Sequence, residues 1–254
     1  MERHFACTAC GKCCYGWLPL TLADALAHVG RFPLILVWNT LRPGGKAFDI
    51  TARLGTRLRI GKNKEVAIGI TPTAYIPPSF PCPALKVDGH CAIHAEKPSR
   101  CRTMPFSPYR EEDDQTDLLV PRTGWACDVS AVAPVVYRDK AIIGRDDFDR
   151  EAAALRDQAP FLRRYADWML DAVPELALEV RKMALKPAGG QVLVNFATLL
   201  PRLPKVDPIA FARCQAPIMQ DFAARTASNS ALTDYTRRYR ECAAEYERTL
   251  TASR

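Results

Sequence analysis

The chain has 254 residues, enough for one large domain or two smaller ones, and its 48% hydrophobic and 25% charged residues are the balance of a globular protein rather than a disordered or fibrous one. The formal charge of +7 is spread through stretches such as RRYADWMLD and TRRYRECAAEYER that also carry carboxylates, which argues against nucleic-acid binding. The first residues hold no apolar signal core, and the longest apolar run, Phe32 to Trp38, is too short to cross a bilayer, so a cytoplasmic protein without a membrane segment is expected.

Taken in order, Thr21 to Val29 reads as a short helix with Asp24 in its first turn. FPLILVWNTL fits either a buried helix or a strand. Arg42 to Gly45 is a turn, and TRLRI and EVAIGI read as strands paired across Gly61 to Lys64. YIPPSFPCPAL holds four prolines and is irregular. DLLV, Asp117 to Val120, reads as a strand, and PVVYRDKAIIG as a hairpin turning at Arg138-Asp139. Near residue 145 the composition changes and helical periodicity takes over. DDFDREAAALRDQ starts one helix, and Pro160 is expected to begin the next, running toward Ala172. A helix follows from about Glu175 to Leu185, broken by Ala188 to Gly190; QVLVNFATLL is open, with a strand possible. Asp207-Pro208 opens another helix, and the last spans about Ser230 to Thr249. The fold class expected is α+β: an irregular, cysteine-rich metal-binding domain with short strands over residues 1–145, and a mainly helical domain packed on it over 146–254.

Ten cysteines in a reducing compartment read as metal ligands or catalytic groups rather than disulfides. Cys214 lies on a helical stripe with Phe211, Ile218 and Phe222, and Cys242 on one with Tyr235, Tyr239 and Tyr246, so both read as core thiols. The other eight, Cys7, Cys10, Cys13, Cys14, Cys82, Cys91, Cys101 and Cys127, all lie in the irregular part. FACTACGKCCYGW spaces thiols by two residues, so that a loop can turn them toward a common centre while backbone N–H groups point at the sulfurs. Lys12, Arg100 and Arg102 are candidate cations to support an anionic centre, and Trp125 and Phe106 candidates to exclude water from it.

The order CxxCxxCC, then CPAL, CAIHAEKPSRCRTMPF and a final cysteine resembles the YkgJ-like cysteine-cluster family, described as a zinc- or iron-chelating domain. Bacterial flagellin lysine N-methylases carry a similar domain. The resemblance covers about residues 5 to 130, with His94 standing where many relatives have tyrosine. It implies metal binding more firmly than any reaction.

An iron–sulfur centre, most simply 4Fe-4S, is the first reading, because an all-thiolate set and a ferredoxin-like opening suit it. Zinc held by four thiolates is the alternative, and eight cysteines would make two such sites. Disulfides are the third and would need an oxidising compartment. His94, three residues after Cys91, has ligand spacing, but a hydrogen bond to the ligand shell suits it better since thiolates already suffice. Cys13 and Cys14 are adjacent, and adjacent side chains often point different ways, so the two need not bind the same metal, and one can face a second centre or stay a free thiol of low pKa. No Walker A, G-x-G-x-x-G or G-x-S-x-G motif is present, and position 17 is Trp where a C-x3-C-x2-C would need cysteine. Three classes of function remain: a redox or electron-transfer metal protein, a cluster-dependent enzyme such as an S-adenosylmethionine-dependent protein-lysine methylase by family analogy, and a zinc-stapled module that binds a protein partner.

Overall fold

The computed structural model describes residues 2–45, 47–62, 64–187 and 189–252. Its elements are β1 (Glu2–His4), β2 (Leu18–Pro19), α1 (Leu22–Ala27), β3 (Leu34–Leu41), α2 (Phe48–Leu54), β4 (Thr56–Gly61), β5 (Lys64–Ala74) and α3 (Ser99–Thr103). They are followed by β6 (Val135–Arg138), β7 (Ala141–Ile142), α4 (Asp146–Ala172), α5 (Pro174–Leu185), β8 (Gly190–Asn195), α6 (Pro208–Thr226) and α7 (Thr233–Thr251). The fold is α+β, and both sheets are antiparallel. No helix among the described residues is long and apolar enough to cross a membrane.

The larger sheet is organised by β5. Its eleven residues pair with β3 along one edge, and with β4 at the start and β2 at the end of the other. β3 is the ambiguous run FPLILVWNTL. Leu34 to Trp38 are all buried, which is the pattern of a strand covered on both faces rather than an alternating one. Its free edge is filled by β8, in the register Ile35↔Asn195 to Thr40↔Gly190. The uncertain stretch QVLVNFATLL is therefore a strand that gives way at Phe196 to a 3-10 turn running to Arg202.

Because β8 comes from the second half of the chain, the change in composition near residue 145 does not divide the packing. One apolar core takes Leu34, Trp38 and Ile68 from the first half and Tyr165, Phe211 and Tyr246 from the second. A smaller core of Phe106, Leu119, Tyr137, Ile142 and Phe148 lies under the sheet β1–β6–β7. DLLV does not form a strand; Thr116–Leu119 is a 3-10 turn that delivers Leu119 to that smaller core. The hairpin of β6 and β7 turns at Asp139 and Lys140, both at positive φ. Of the sequence expectations, part of the turn between β4 and β5 (position 63) and the first residue of the Ala188 break lie outside the described residues.

Pro160 does not start a helix. α4 runs through it for 27 residues. A proline inside a helix removes one hydrogen bond, but Pro160 sits on the exposed side, and the stripe Leu155, Ala159, Leu162, Tyr165, Ala166 and Met169 is buried against the core. Tertiary burial outweighs the local defect.

Gln215 on α6 ties the helices to the sheet. It is fully buried, accepts from the Leu34 N–H at 3.0 Å, and donates to the Phe32 carbonyl at 2.9 Å and to the Val29 carbonyl. Leucine would nearly match its volume but strand two buried backbone groups, of Leu34 and Phe32, and a partly buried one, of Val29. Gln215→Leu is expected to lose about 3 kcal/mol of stability, read from the midpoint of urea unfolding. A loss under about 0.5 kcal/mol would mean that water replaces the side chain.

Candidate metal centre

Three backbone pairings assemble the cysteines. Ala6 and Asp128 exchange hydrogen bonds at 2.7 and 3.0 Å, and the Thr8 hydroxyl donates to the Ala126 carbonyl at 2.8 Å. These bonds set Cys7 beside Cys127. The Cys82 N–H donates to the Cys14 carbonyl at 2.7 Å, next to a bridge between Tyr15 and Pro81, which sets Cys14 beside Cys82. A bridge between Leu85 and Cys91 folds the third loop back on itself. That loop lies hard against the first one. A Cβ on Gly89 would come within 2.8 Å of the Ala9 carbonyl oxygen, so only glycine fits there. Ala9 and Gly11, both at positive φ, curl the first loop around its thiols.

The electrostatics divide the eight thiols. Cys14 feels the charges of Cys82, Cys91 and Cys101, and Cys101 those of Cys82 and Cys91. Cys127 feels Cys10 and Cys7. Cys13 stands between the sets: its thiol couples to that of Cys14 and also to Cys101, Cys10 and Cys127. The arrangement is thus one group of Cys14, Cys82, Cys91 and Cys101, and a second of Cys7, Cys10 and Cys127, with Cys13 at the junction. All ten cysteines of the chain are free thiols.

Protonation follows from local contacts. The hydrogen bond from Cys13 pulls the Cys14 thiol below its ordinary value and pushes Cys13 up. The N–H groups of Lys12 and Ala126 lower Cys10. Burial raises Cys82, Cys127 and, to about 12, Cys101. At Cys82 the N–H groups of Ala84, 3.4 Å from the sulfur, and of Leu85 oppose that rise. A thiolate at the buried positions therefore needs a cation close by.

The donor chemistry suits a soft metal or an iron–sulfur centre. The side chains as placed do not close one: among the described residues, no three or more His, Cys, Asp or Glu groups converge tightly enough to hold a metal ion.

The supporting residues fall differently from the sequence expectation. Arg100 is buried and faces Glu151 at 3.5 Å while also donating to the Phe106 carbonyl; its charge still favours thiolate at Cys101. Arg102 binds the carbonyls of Lys97, at 3.1 Å, and Ala95, bracing the loop ahead of α3. The side chain of Lys12 is exposed, and its backbone N–H, rather than its ammonium, serves Cys10. Besides Arg100 at Cys101, the cations that lower thiols of the set are Arg31 at Cys82 and Lys97 at Cys13. Lys97 was legible as part of KPSRCR, whereas nothing in the sequence marks Arg31. Phe106 packs in the smaller core, and the ring of Trp125 lies under Arg122 at 5.4 Å. His94 is exposed, and His90 faces Asp88 at 3.5 Å. Cys242 is buried in the main core, while Cys214 is only half-buried on α6.

Compared with protein-family models, with curated proteins and with solved structures, the chain gives no match.

Proposed function

We propose that the cysteine-rich half is a thiolate metal centre of the iron–sulfur type, 4Fe-4S in its simplest form, working in redox chemistry or in a cluster-dependent reaction. The observation that carries this reading is the set of backbone N–H groups aimed at the sulfurs of Cys10 and Cys82, inside loops that gather four thiols from distant parts of the chain. Amide donors to sulfur and nearby cations, here Arg31 and Lys97, stabilise an anionic cluster and set its potential. The resemblance of CxxCxxCC and KPSRCR to the YkgJ-like family points the same way. Cys14, Cys82, Cys91 and Cys101 would hold the first centre. Cys7, Cys10, Cys13 and Cys127 would hold a second or supply reactive thiols. A cluster so held supplies one-electron transfer. The chain's own part is to shield the half-buried thiols and to offset the charge of their thiolate forms. A cytoplasmic setting, where free thiols persist, and a protein partner or substrate go with this proposal.

Zinc is the second reading. Two sets of four thiols also suit two tetrahedral sites, with the protein then acting as a stapled interaction module. Paired substitutions test the division between the sets. Cys82→Ser with Cys101→Ser is expected to abolish the metal of the first group and leave that of the second, while Cys7→Ser with Cys127→Ser does the reverse. Cys214→Ser should retain all metal. Metal content per chain decides; full metal retention in both paired variants would overturn the proposal.

A further inference from the structure

A second site stands apart from the cysteines. α2, α4 and the loop before Gln115 enclose a cleft of about 500 Å³ with no cysteine in its wall, a size that takes a small organic ligand. Its floor is apolar: Ile50, Leu54, Phe148 and Leu155. Its rim carries five arginines, Arg53, Arg110, Arg145, Arg156 and Arg163, against two carboxylates, Glu111 and Glu112.

The loop that forms one side is built. Gln115, fully buried, accepts from the Ser107 N–H at 2.9 Å and donates to the carbonyls of Ser107, Arg110 and Glu111. That holds Arg110 and the two glutamates at the rim.

Three arginines have carboxylate partners. Arg53 pairs with Glu111 at 2.6 Å, Arg110 with Asp117 at 2.6 Å, and Arg145 with Glu112 at 2.7 Å and Asp149 at 2.9 Å. Two do not. Arg163 spends its N–H groups on the Gly55 and Arg53 carbonyls, at 2.8 and 2.7 Å, and meets no carboxylate at ion-pair distance among the described residues. Arg156 makes no hydrogen bond or ion pair to any described residue. Asp149, the carboxylate whose field it feels, is already bound by Arg145. Arg156 and Arg163 lie two turns apart on the same side of α4, about 10 Å along the axis. Both line the cleft without a carboxylate at ion-pair distance among the described residues, Arg156 with its guanidinium unengaged and Arg163 with its own held on the two carbonyls at the end of α2.

We infer that this cleft binds an organic phosphate monoester, its apolar body on Phe148 and the leucines and its dianionic head on Arg156, with Arg163 adding charge. A guanidinium matches phosphate oxygens in geometry as well as charge, and the field of the rim favours two negative charges over one. The exposed Arg53–Glu111 pair contributes little to stability and can open to admit the head group.

The test is calorimetric titration of the full chain, purified with whatever metal it carries. The probes are 2-naphthyl phosphate, 2-naphthol and inorganic phosphate. The phosphate ester is expected to bind one per chain, at least tenfold tighter than either fragment. Arg156→Ala, an exposed mid-helix change, is expected to weaken it at least tenfold with no change in melting temperature, while Arg181→Ala on α5 leaves it unchanged. Absence of binding, equal binding of naphthol, or an unaltered affinity in Arg156→Ala would each overturn the inference.

Discussion

Glu151→Ala is expected to lose about 3–5 kcal/mol of stability, because it leaves the buried guanidinium of Arg100 without its partner. The pair joins α3 to α4 at 3.5 Å, with side chains only 9% and 3% exposed. Burial pushes the Glu151 carboxyl above its ordinary range and depresses Arg100, so each ion persists chiefly through the other. Neither is fully satisfied: Nε of Arg100 and Oε2 of Glu151 have no hydrogen-bond partner. Such a pair is costly to break and contributes little net stability beyond an apolar replacement. The double variant Arg100→Met with Glu151→Leu removes both charges but also the donor to the Phe106 carbonyl, so it is expected to lose about 1–2 kcal/mol, less than Glu151→Ala. Urea unfolding of the three proteins separates the cases. A single variant as stable as the parent would mean that water reaches the pair.

Gly55→Ala is the other large effect, about 3 kcal/mol, the upper end for overpacking. Gly55 ends α2 and passes directly under β5. A Cβ there would lie 1.9 Å from the Ile68 carbonyl oxygen and 3.0 Å from the Thr51 oxygen. Both obstacles are backbone, and the Ile68 residue belongs to the central strand, so no side-chain rotation relieves the contact. The Gly55 carbonyl also accepts from Arg163 at 2.8 Å, which fixes the turn from the other side. Thermal unfolding followed by circular dichroism measures the loss; an unchanged midpoint would mean that α2 shifts freely relative to the sheet. The same substitution would move Arg163, so binding in the arginine cleft should weaken with it.

What the sequence made legible was local. Thr21 caps α1 through the Asp24 N–H, and Asp207 caps α6 through that of Ile209, because capping is settled within three residues. The pairing of TRLRI with EVAIGI is likewise a short-range matter. The helix break expected at Pro160 does not occur because its local penalty is visible in sequence and the burial that overrides it is not. DLLV looks like a strand in sequence, but Leu119 answers to a satellite core rather than to a sheet. The eight cysteines were legible as a set, but their grouping depends on bonds between Ala6 and Asp128 and between Cys14 and Cys82, and no spacing rule reports those. Arg100 read as support for a metal; its partner, Glu151, lies on another helix. The arginine cleft was invisible for the same reason, since its walls come from α2, α4 and a loop that looked merely polar and acidic.

The direct test of the central claim is made on protein purified without oxygen and without chelators: iron, zinc and acid-labile sulfide per chain, with the visible spectrum of the same sample. The account predicts iron with matching sulfide and a broad visible absorption that bleaches on reduction. Stoichiometric zinc without sulfide or colour, or no metal at all, would contradict it.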